Sequence, residues 1–495
     1  MQRIIFLLSV MSCGAVAAQN TALPDFGSPA DAVLSRTQES QLGRSVMAQL
    51  RNAGAVMEDP QLNEYIQTLG ARLAGHANDG DQSFQFFLMN EPAINAFALP
   101  GGYIGVNAGL IQASETESEL AGVLAHEVAH VTQRHIARAI YDNQRNSMLS
   151  MATMLAAILL GAGGGIEGDA VQGLISASQA AAIQRQINFT RANEHEADRV
   201  GMSTLSSAGF DPAAMSSFFE KLARRYGLTA QRVPAILQTH PVTSERIAEA
   251  RARARQLPAV ELTDSMSYGL VKARLHVLQA PTAEAAHAIF KTRLDAQSSA
   301  PADHYGMALS LSQLGRDDEA ERILRELVEE YPGVIGFRIG QAEALARSRL
   351  GTLALETYVE AVDLFPRNVP LTISYAEALI AAGKPATAHK LLLDLLNNVP
   401  PTPEQIRLIA RAANAEGDIG NAHHYMSEYY VQIGNLPLAM TQLRMAMESP
   451  NVNSVDQARF QARLKQLIEF MPEDQRRRAA RRGGSGQQQP RISPR

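Results

Sequence analysis

A 34-residue repeat in the C-terminal half of the chain constrains its fold more than any other feature. Alanines recur at this interval at Ala286, Ala320, Ala354, Ala388 and Ala422. Prolines keep the same step at Pro332, Pro366 and Pro400, and glycines keep it at Gly315, Gly383 and Gly417. A period of 34 residues is typical of a helix–turn–helix unit. Small alanines let paired helices approach closely, glycine closes the first helix, and proline marks the end of the second.

The repeat resembles the tetratricopeptide repeat, although the tryptophan sometimes found in that consensus is missing and Arg349 replaces one glycine. The resemblance predicts an α-solenoid domain at residues 265–470. Stacked repeats of this kind expose a concave surface that binds peptides or partner proteins, whereas a passive spacer is the alternative. The 34-residue period is lost after Tyr430, so we expect the last helices, including residues 457–470, to form a terminal cap.

The N-terminus is typical of an export signal, predicted at residues 1–18. Arg3 precedes an apolar run at residues 4–10, and small residues at 15–18 form a cleavage site. The run is too short to span a bilayer comfortably. Cys13, the only cysteine, lies inside this segment, so a lipid anchor at Cys13 is the alternative to cleavage after it.

A chain of 495 residues is too long for a single hydrophobic core, so more than one domain is expected. Residues 19–260 mix helix and strand signals and are predicted to form a domain separate from the helical repeats. Short β-rich stretches at 85–89, 94–98 and 103–106 predict a small antiparallel sheet. If residues 94–98 form an exposed edge, a polypeptide can add there as a further strand against Asn95, Ala96 and Phe97. An internal strand is the alternative. Residues 114–117 have the pattern of a capping box that opens the next helix.

That helix carries the sequence AGVLAHEVAHVTQRH, residues 121–135. His126 and His130 are four residues apart, so both imidazoles project from one face and can bind one zinc ion. Glu127 follows the first histidine and can act as a general base beside the metal. This H-E-x-x-H pattern predicts a zinc hydrolase site; a pair of buried core histidines is the alternative.

A catalytic zinc needs a third protein ligand. Glu194 and Asp198 are also four residues apart, on a predicted helix. Glu194 can complete a His₂Glu set, and Asp198 can accept the N–H of a ligand histidine and fix its tautomer. A solvated charged face is the alternative, and His195 and Glu196 are competing ligands that point to other sides of the helix.

These motifs together resemble the HtpX and CAAX-prenyl-protease superfamily of zinc metallopeptidases. HEVAH is followed about 60 residues later by R-x-x-E-x-E-A-D-x-x-G, which residues 191–201 match. The resemblance implies a zincin-like α+β domain in a mainly α protein. It also implies one Zn²⁺ per subunit, with ligands His126, His130 and Glu194 and with Glu127 as catalytic base.

The resemblance also draws attention to a His-Pro loop at residues 239–247. In such proteins the loop can place its histidine on the zinc as a fourth ligand, and His240 and Arg246 match the family positions. Arg246 is accordingly expected in the substrate-binding region. An extra imidazole displaces the catalytic water, so His240 is expected to hold the enzyme latent until the loop moves. An ordinary loop histidine is the alternative.

Two further segments allow several interpretations. Residues 148–160 are nearly all apolar but too few to span a bilayer. They predict a hairpin that contacts a membrane or an assembly partner, a lid over the cleft, or a core helix. The tail, residues 472–495, is rich in arginine, glycine and glutamine and is predicted to be disordered.

The predicted protein is a periplasmic zinc endopeptidase, and also a chaperone by resemblance only. The resemblance implies that its partners are misassembled outer-membrane β-barrel precursors and their assembly machinery. An assembly scaffold with a structural or latent zinc site and little proteolysis is the alternative. The formal net charge of -5 gives no reason to expect nucleic acid as a partner.

Overall fold

The computed structural model describes residues 34–77, 82–143, 191–226, 234–258, 260, 264–450 and 452–470. The predicted export signal at 1–18, the apolar run at 148–160 and the tail at 472–495 therefore lie outside the described residues. Within the described residues, no helix combines the length and the apolar character needed to cross a bilayer.

The N-terminal part combines helices with one small sheet, as the mixed signals predict. Its helices are α1 Arg36–Asn52, α2 Pro60–Ala74, α3 Ala108–Ala113, α4 Glu117–Thr132, α5 His135–Asn143, α6 Arg191–Ser207, α7 Ala213–Tyr226, α8 Ala235–Thr239 and α9 Ser244–Ala254. Its strands are β1 Gln85–Met89, β2 Ala96–Leu99 and β3 Tyr103–Asn107. Its largest core joins α2, the sheet, α4, α6 and α7, so the predicted metal helix lies in the middle of the domain.

The sheet is mixed, so the prediction of a wholly antiparallel sheet is wrong. Its strand order is β1-β3-β2. β2 pairs antiparallel with β3, with Ala96 opposite Val106, whereas β1 pairs parallel with β3, with Phe86 opposite Ile104. The turn at residues 100–102 joins β2 and β3 as a hairpin, and this hairpin inserts β3 between β1 and β2. The prediction failed because it assumed that strands adjacent in sequence also pair.

The C-terminal part is a stack of antiparallel helix pairs, which confirms the predicted mainly α class with a solenoid. Its helices are α10 Met266–Gln279, α11 Ala283–Asp295, α12 Pro301–Gln313, α13 Asp317–Glu330, α14 Ile335–Arg347, α15 Gly351–Leu364, α16 Val369–Ala381, α17 Pro385–Asn398, α18 Pro403–Glu416, α19 Ile419–Gln432, α20 Leu436–Glu448 and α21 Ser454–Phe470. The five repeat alanines are all buried, each in the second helix of its pair. They therefore occupy the close contacts that the period indicated.

The repeat glycines adopt the left-handed conformation that ends the first helix of a pair. Gly315, Gly383 and Gly417 have φ of 72°, 71° and 93°. Arg349, which replaces the glycine in one repeat, keeps the same backbone with φ of 62°. A non-glycine residue is strained there, so the fold imposes the turn even where the sequence does not favour it.

Helix α2 of the N-terminal part packs against the first helices of several solenoid pairs. Arg274 of α10 forms a bidentate ion pair with Asp59, the N-cap of α2, with a shortest N···O distance of 2.6 Å. Asn368, at the start of α16, donates to Glu64 of α2 over 2.9 Å. A cavity of about 450 Å³ remains between α2 and the solenoid. Part of the solenoid surface predicted to bind partners is therefore covered by the protein's own N-terminal part.

Candidate metal centre

Helix α4 carries the H-E-x-x-H motif through the core. It begins at Glu117 with Thr116 as N-cap, whose side chain accepts from the Glu119 backbone over 3.2 Å. The predicted capping box placed this start at Ser114, which instead ends α3. The misplacement is two residues, and it arose because Ser and Thr both make good caps. Every residue from 117 to 130 is buried, so both motif histidines lie inside the domain.

Helix α6 approaches α4 closely at Gly201. A Cβ atom at this position would lie 3.0 Å from the carbonyl oxygen of Ala125 and 3.1 Å from the Cα of His126. Only glycine fits without moving one of the helices. This contact places Glu194, which lies about two turns earlier on the same face of α6, opposite the histidines of α4.

Four side chains from three segments converge on one point: His126, His130, Glu194 and His240. The Nε2 atoms of His126 and His130 are 3.0 Å apart, and each lies 3.5 Å from a carboxylate oxygen of Glu194. His240 Nδ1 lies 3.0 Å from Glu194 Oε1 and 3.4 Å from His126 Nε2. All four side chains are buried.

These separations fit a bound metal ion. Ligands placed tetrahedrally at about 2.0–2.1 Å from a zinc ion are about 3.3–3.4 Å apart, and the observed distances are 3.0–3.5 Å. Two imidazole nitrogens that face each other repel unless a proton or a cation lies between them. The donor set of three imidazoles and one carboxylate is one that a divalent transition metal accepts.

Glu127 lies beside this cluster without belonging to it. Its Oε1 is 3.5 Å from His240 Nε2. Its Oε2 is buried and has no hydrogen-bond partner among the described residues. A buried carboxylate oxygen without a partner is costly unless it serves a ligand or a water molecule. The position suits a base that acts on a molecule bound at the metal.

Asp198 and Arg246 support the cluster from behind. Asp198 Oδ1 lies 3.0 Å from His126 Nδ1. Arg246 donates to both oxygens of Asp198 over 2.7 and 2.8 Å and pairs with Glu194 Oε2 at 2.8 Å. It also donates to the carbonyl of Pro241 over 2.8 Å. Arg246 is thus buried behind the ligands, away from any surface that a substrate would contact.

The charges of the cluster shift the pKa values of its members. Burial alone would lower the pKa of His126, but the carboxylates of Asp198 and Glu194 raise it to about 10. Burial and the neighbouring His126 and His240 hold the pKa of His130 well below its usual range. For Glu194, burial is outweighed by His240 and His126, which lower the pKa of its carboxyl.

His135 and Glu196 also reach this region, which the sequence did not indicate. His135 Nδ1 lies 2.8 Å from His130 Nδ1, and its Nε2 lies 3.1 Å from Glu196 Oε2. Glu196 is thus no competing ligand. The second competitor, His195, pairs instead with Glu249 at 2.7 Å near the surface. The contact between His135 and His130 does not follow from helical spacing. Arg134 has φ of 53° and turns the chain between α4 and α5, so the two histidines are not on one continuous helix.

The predicted substrate strand, β2, is an edge strand of the described sheet and packs against α4. The side chains of Asn95, Ala96 and Phe97 are buried. One end of the free edge is already used, because Ile236 of α8 donates its N–H to the carbonyl of Ile94 over 3.2 Å. A peptide would therefore meet the main chain of β2 rather than these side chains.

Comparison with known proteins agrees with this site. Residues 60–254, from α2 to α9, match the peptidase family M48. The β-barrel assembly-enhancing protease of Escherichia coli strain K12 is 34% identical over 472 residues, which cover 93% of this chain and 95% of that protein. Its namesake in Yersinia pestis is 36% identical over 460 residues, covering 90% and 91% of the two chains. This chain belongs to the β-barrel assembly-enhancing protease family.

Membership in this family confirms the predicted metallopeptidase and the metal dependence of its activity. The peptidase part alone also resembles the mitochondrial metalloendopeptidase OMA1 of Arabidopsis thaliana, at 32% identity over 33% of this chain and 30% of that protein. The alignment with the structure of a tetratricopeptide repeat protein from Parabacteroides merdae covers 56% of this chain and 98% of that chain, with 14% identity and a TM-score of 0.31. The helix pairs themselves show the repeat architecture.

Proposed function

We propose that this protein is a zinc endopeptidase of the periplasm that acts on outer-membrane β-barrel proteins during their assembly. The observation that carries the proposal is the buried cluster of four metal-binding side chains with Glu127 beside it. The choice of zinc is supported by the donor set, because nitrogen and carboxylate oxygen ligands at tetrahedral spacing suit Zn²⁺. The client class is taken from the name of the E. coli relative.

His126, His130 and Glu194 would hold the zinc ion. When bound, the ion polarises the scissile carbonyl and makes water acidic enough to react near neutral pH. Glu127 accepts a proton from the attacking water and passes it to the leaving amine. Asp198 accepts the Nδ1 proton of His126 and so keeps Nε2 free for the metal. Arg246 holds Asp198 and Glu194 in place and acts as a positioning residue rather than a substrate contact.

His240 would fill the fourth position and keep the enzyme latent. Its Nδ1 already lies within 3.0–3.4 Å of the Glu194 and His126 ligand atoms. A catalytic zinc needs an open position for water and substrate. Cleavage therefore waits until the loop at residues 239–243 withdraws the imidazole. An extended substrate would then add to the free edge of β2 next to α4.

The solenoid would recruit client proteins and the assembly machinery, as stacked repeats do elsewhere. Only the surface left uncovered by α2 is available to them. The export pattern at residues 1–18 and the β-barrel clients both support a periplasmic location. A chaperone activity beside proteolysis remains a proposal that rests on resemblance.

The alternative function is an assembly scaffold with a structural metal site. The closed four-donor geometry favours this alternative, because structural zinc sites have four protein ligands. Glu127 argues against it, since a structural site needs no unpartnered carboxylate beside the metal.

Glu127→Gln separates the two functions. For an enzyme we expect about 10²- to 10⁴-fold slower cleavage of an unfolded protein, with zinc content unchanged. Glu115→Gln changes an exposed glutamate just before α4 and serves as the matched control. Wild-type cleavage by the Glu127 variant would remove Glu127 as the base. No cleavage by the metal-loaded wild type under any condition would leave the scaffold as the function.

A further inference from the structure

His135 is a fully buried histidine for which the proposed chemistry has no use. Its relative exposure is 0%, and both ring nitrogens face a partner. Nδ1 lies 2.8 Å from Nδ1 of His130, and Nε2 lies 3.1 Å from Oε2 of Glu196. The same Glu196 oxygen accepts from Arg138 over 2.8 Å. Buried polar groups at such distances form a defined network rather than a chance contact.

The direction of each hydrogen bond follows once His130 binds the metal, which rests on the proposed function. His130 turns Nε2 toward the cluster, 3.0 Å from His126 Nε2. A neutral imidazole carries one proton, so His130 Nδ1 must carry it and donate to His135 Nδ1. His135 then accepts at Nδ1, carries its own proton on Nε2, and donates to the Glu196 carboxylate.

We infer that His135 and Glu196 are positioning residues that fix the tautomer and the ring orientation of the ligand His130. The chain of hydrogen bonds runs from His130 through His135 to Glu196 and ends on Arg138. The charge of the Glu196 carboxylate is balanced by the Arg138 guanidinium. Partners of this kind typically change metal affinity by about 10- to 100-fold when they are removed.

The second ligand histidine has an equivalent support. His126 Nδ1 lies 3.0 Å from Asp198, which is held by the guanidinium of Arg246. Both supports thus end in a carboxylate–arginine pair, and both carboxylates belong to α6. The difference is that an extra imidazole lies between His130 and its carboxylate. Helix α6 therefore supplies one ligand, Glu194, and orients the two histidines of α4.

The test measures zinc affinity of the purified full chain by competition with a chromogenic chelator. His135→Leu removes the acceptor at similar volume, and we expect zinc to bind about 10- to 100-fold more weakly. His135→Asn places an oxygen at the position of Nδ1, so it keeps the contact with His130 and should lose less affinity. The visible spectrum of the Co²⁺-loaded protein reports ligand geometry, so it should change more in His135→Leu than in His135→Asn. A merely structural role would not produce this order.

A double-mutant cycle tests whether Glu196 acts through His135. Glu196→Gln should weaken zinc binding about tenfold in the wild type, at the low end of such effects. The same change should add no further loss in His135→Asn, because the relay is already interrupted there. Glu249→Gln is the matched control: Glu249 pairs with the neighbouring His195, whose side chain is partly exposed, and its loss should leave affinity unchanged.

His130→Ala distinguishes failure of this inference from failure of the proposed function. If His130→Ala binds zinc like the wild type, the ligand set is wrong and the inference falls with it. If His130→Ala loses zinc while the His135→Asn and Glu196→Gln variants keep wild-type affinity and Co²⁺ spectrum, the ligand set stands and the positioning role is refuted. Should His135→Leu fail to fold, the Asn and Gln variants decide alone.

Discussion

Replacing His240 by alanine should convert the latent peptidase into a constitutively active one. The imidazole is held in the cluster by its hydrogen bond with Glu194, at 3.0 Å between Nδ1 and Oε1. A hydrogen bond to a charged group contributes about 1.5–3 kcal/mol. At about 1.4 kcal/mol per factor of ten, its removal raises the ratio of open to closed loop by about 10- to 150-fold. In the zinc-loaded protein His240 Nδ1 would bind the ion in place of this hydrogen bond, since one ring nitrogen cannot do both. The figure from the hydrogen bond is then a lower bound.

The loop should stay attached to the domain in this variant, even when it opens. Arg246 still donates to the carbonyl of Pro241, and the backbone N–H of residue 240 still donates to Ile236 over 2.8 Å. The effect is therefore confined to the fourth position of the metal site. We do not expect unfolding, and the melting temperature should serve as a check.

The assay is degradation of an unfolded protein by the purified chain, with zinc content measured in the same sample. His195→Ala is the control, because His195 also pairs with a glutamate, Glu249, but outside the cluster. Cleavage by His240→Ala should rise by one to two orders of magnitude if loop opening limits the rate. Unchanged or slower cleavage with zinc retained would refute latency and make His240 a structural ligand.

Three further predictions follow from the packing and the charges. Gly201→Ala should destabilise the fold by about 1–3 kcal/mol and weaken zinc binding, because its Cβ would meet the backbone of α4 at 3.0 Å; equal affinity in chelator competition would contradict this. Arg274→Met leaves the carboxylate of Asp59 without its main partner and should cost about 3–5 kcal/mol in urea unfolding, whereas the exposed Lys291→Met should cost less than about 1 kcal/mol. Burial and neighbouring cations lower the pKa of His276 to about 4, so the unfolded chain binds more protons between about pH 6.5 and 4. The free energy of unfolding should therefore fall as the pH drops through this window, and it should fall less steeply in His276→Gln. Melting temperatures that decline equally with pH in the two proteins would contradict this prediction.

The features that the sequence predicted are those set by short, regular spacings. The four-residue steps from His126 to His130 and from Glu194 to Asp198 place each pair on one helix face, and the structure brings both pairs together. The 34-residue step located the helix pairs for the same reason. Neither pattern depends on how distant segments pack.

The features that were missed depend on contacts between distant segments. The order of the sheet depends on where the hairpin of β2 and β3 inserts, which no local pattern records. The role of His135 depends on a left-handed turn at Arg134 and on the packing of α5 against α6. Arg246 was expected to bind substrate, and its buried ion pairs with Asp198 and Glu194, which no spacing predicts, place it among the carboxylates instead.

The contact between α2 and the solenoid bears on where partners can bind. Helical repeats of this type are expected to offer one continuous surface to partners. Here Asp59 and Glu64 of the peptidase already bind Arg274 and Asn368 of the solenoid. A partner that binds next to α2 meets Asp59 already paired with Arg274, so electrostatic attraction to this pair is weak. Recruitment by charge should therefore depend on solenoid surfaces away from α2, and client binding should survive substitution of Asn368.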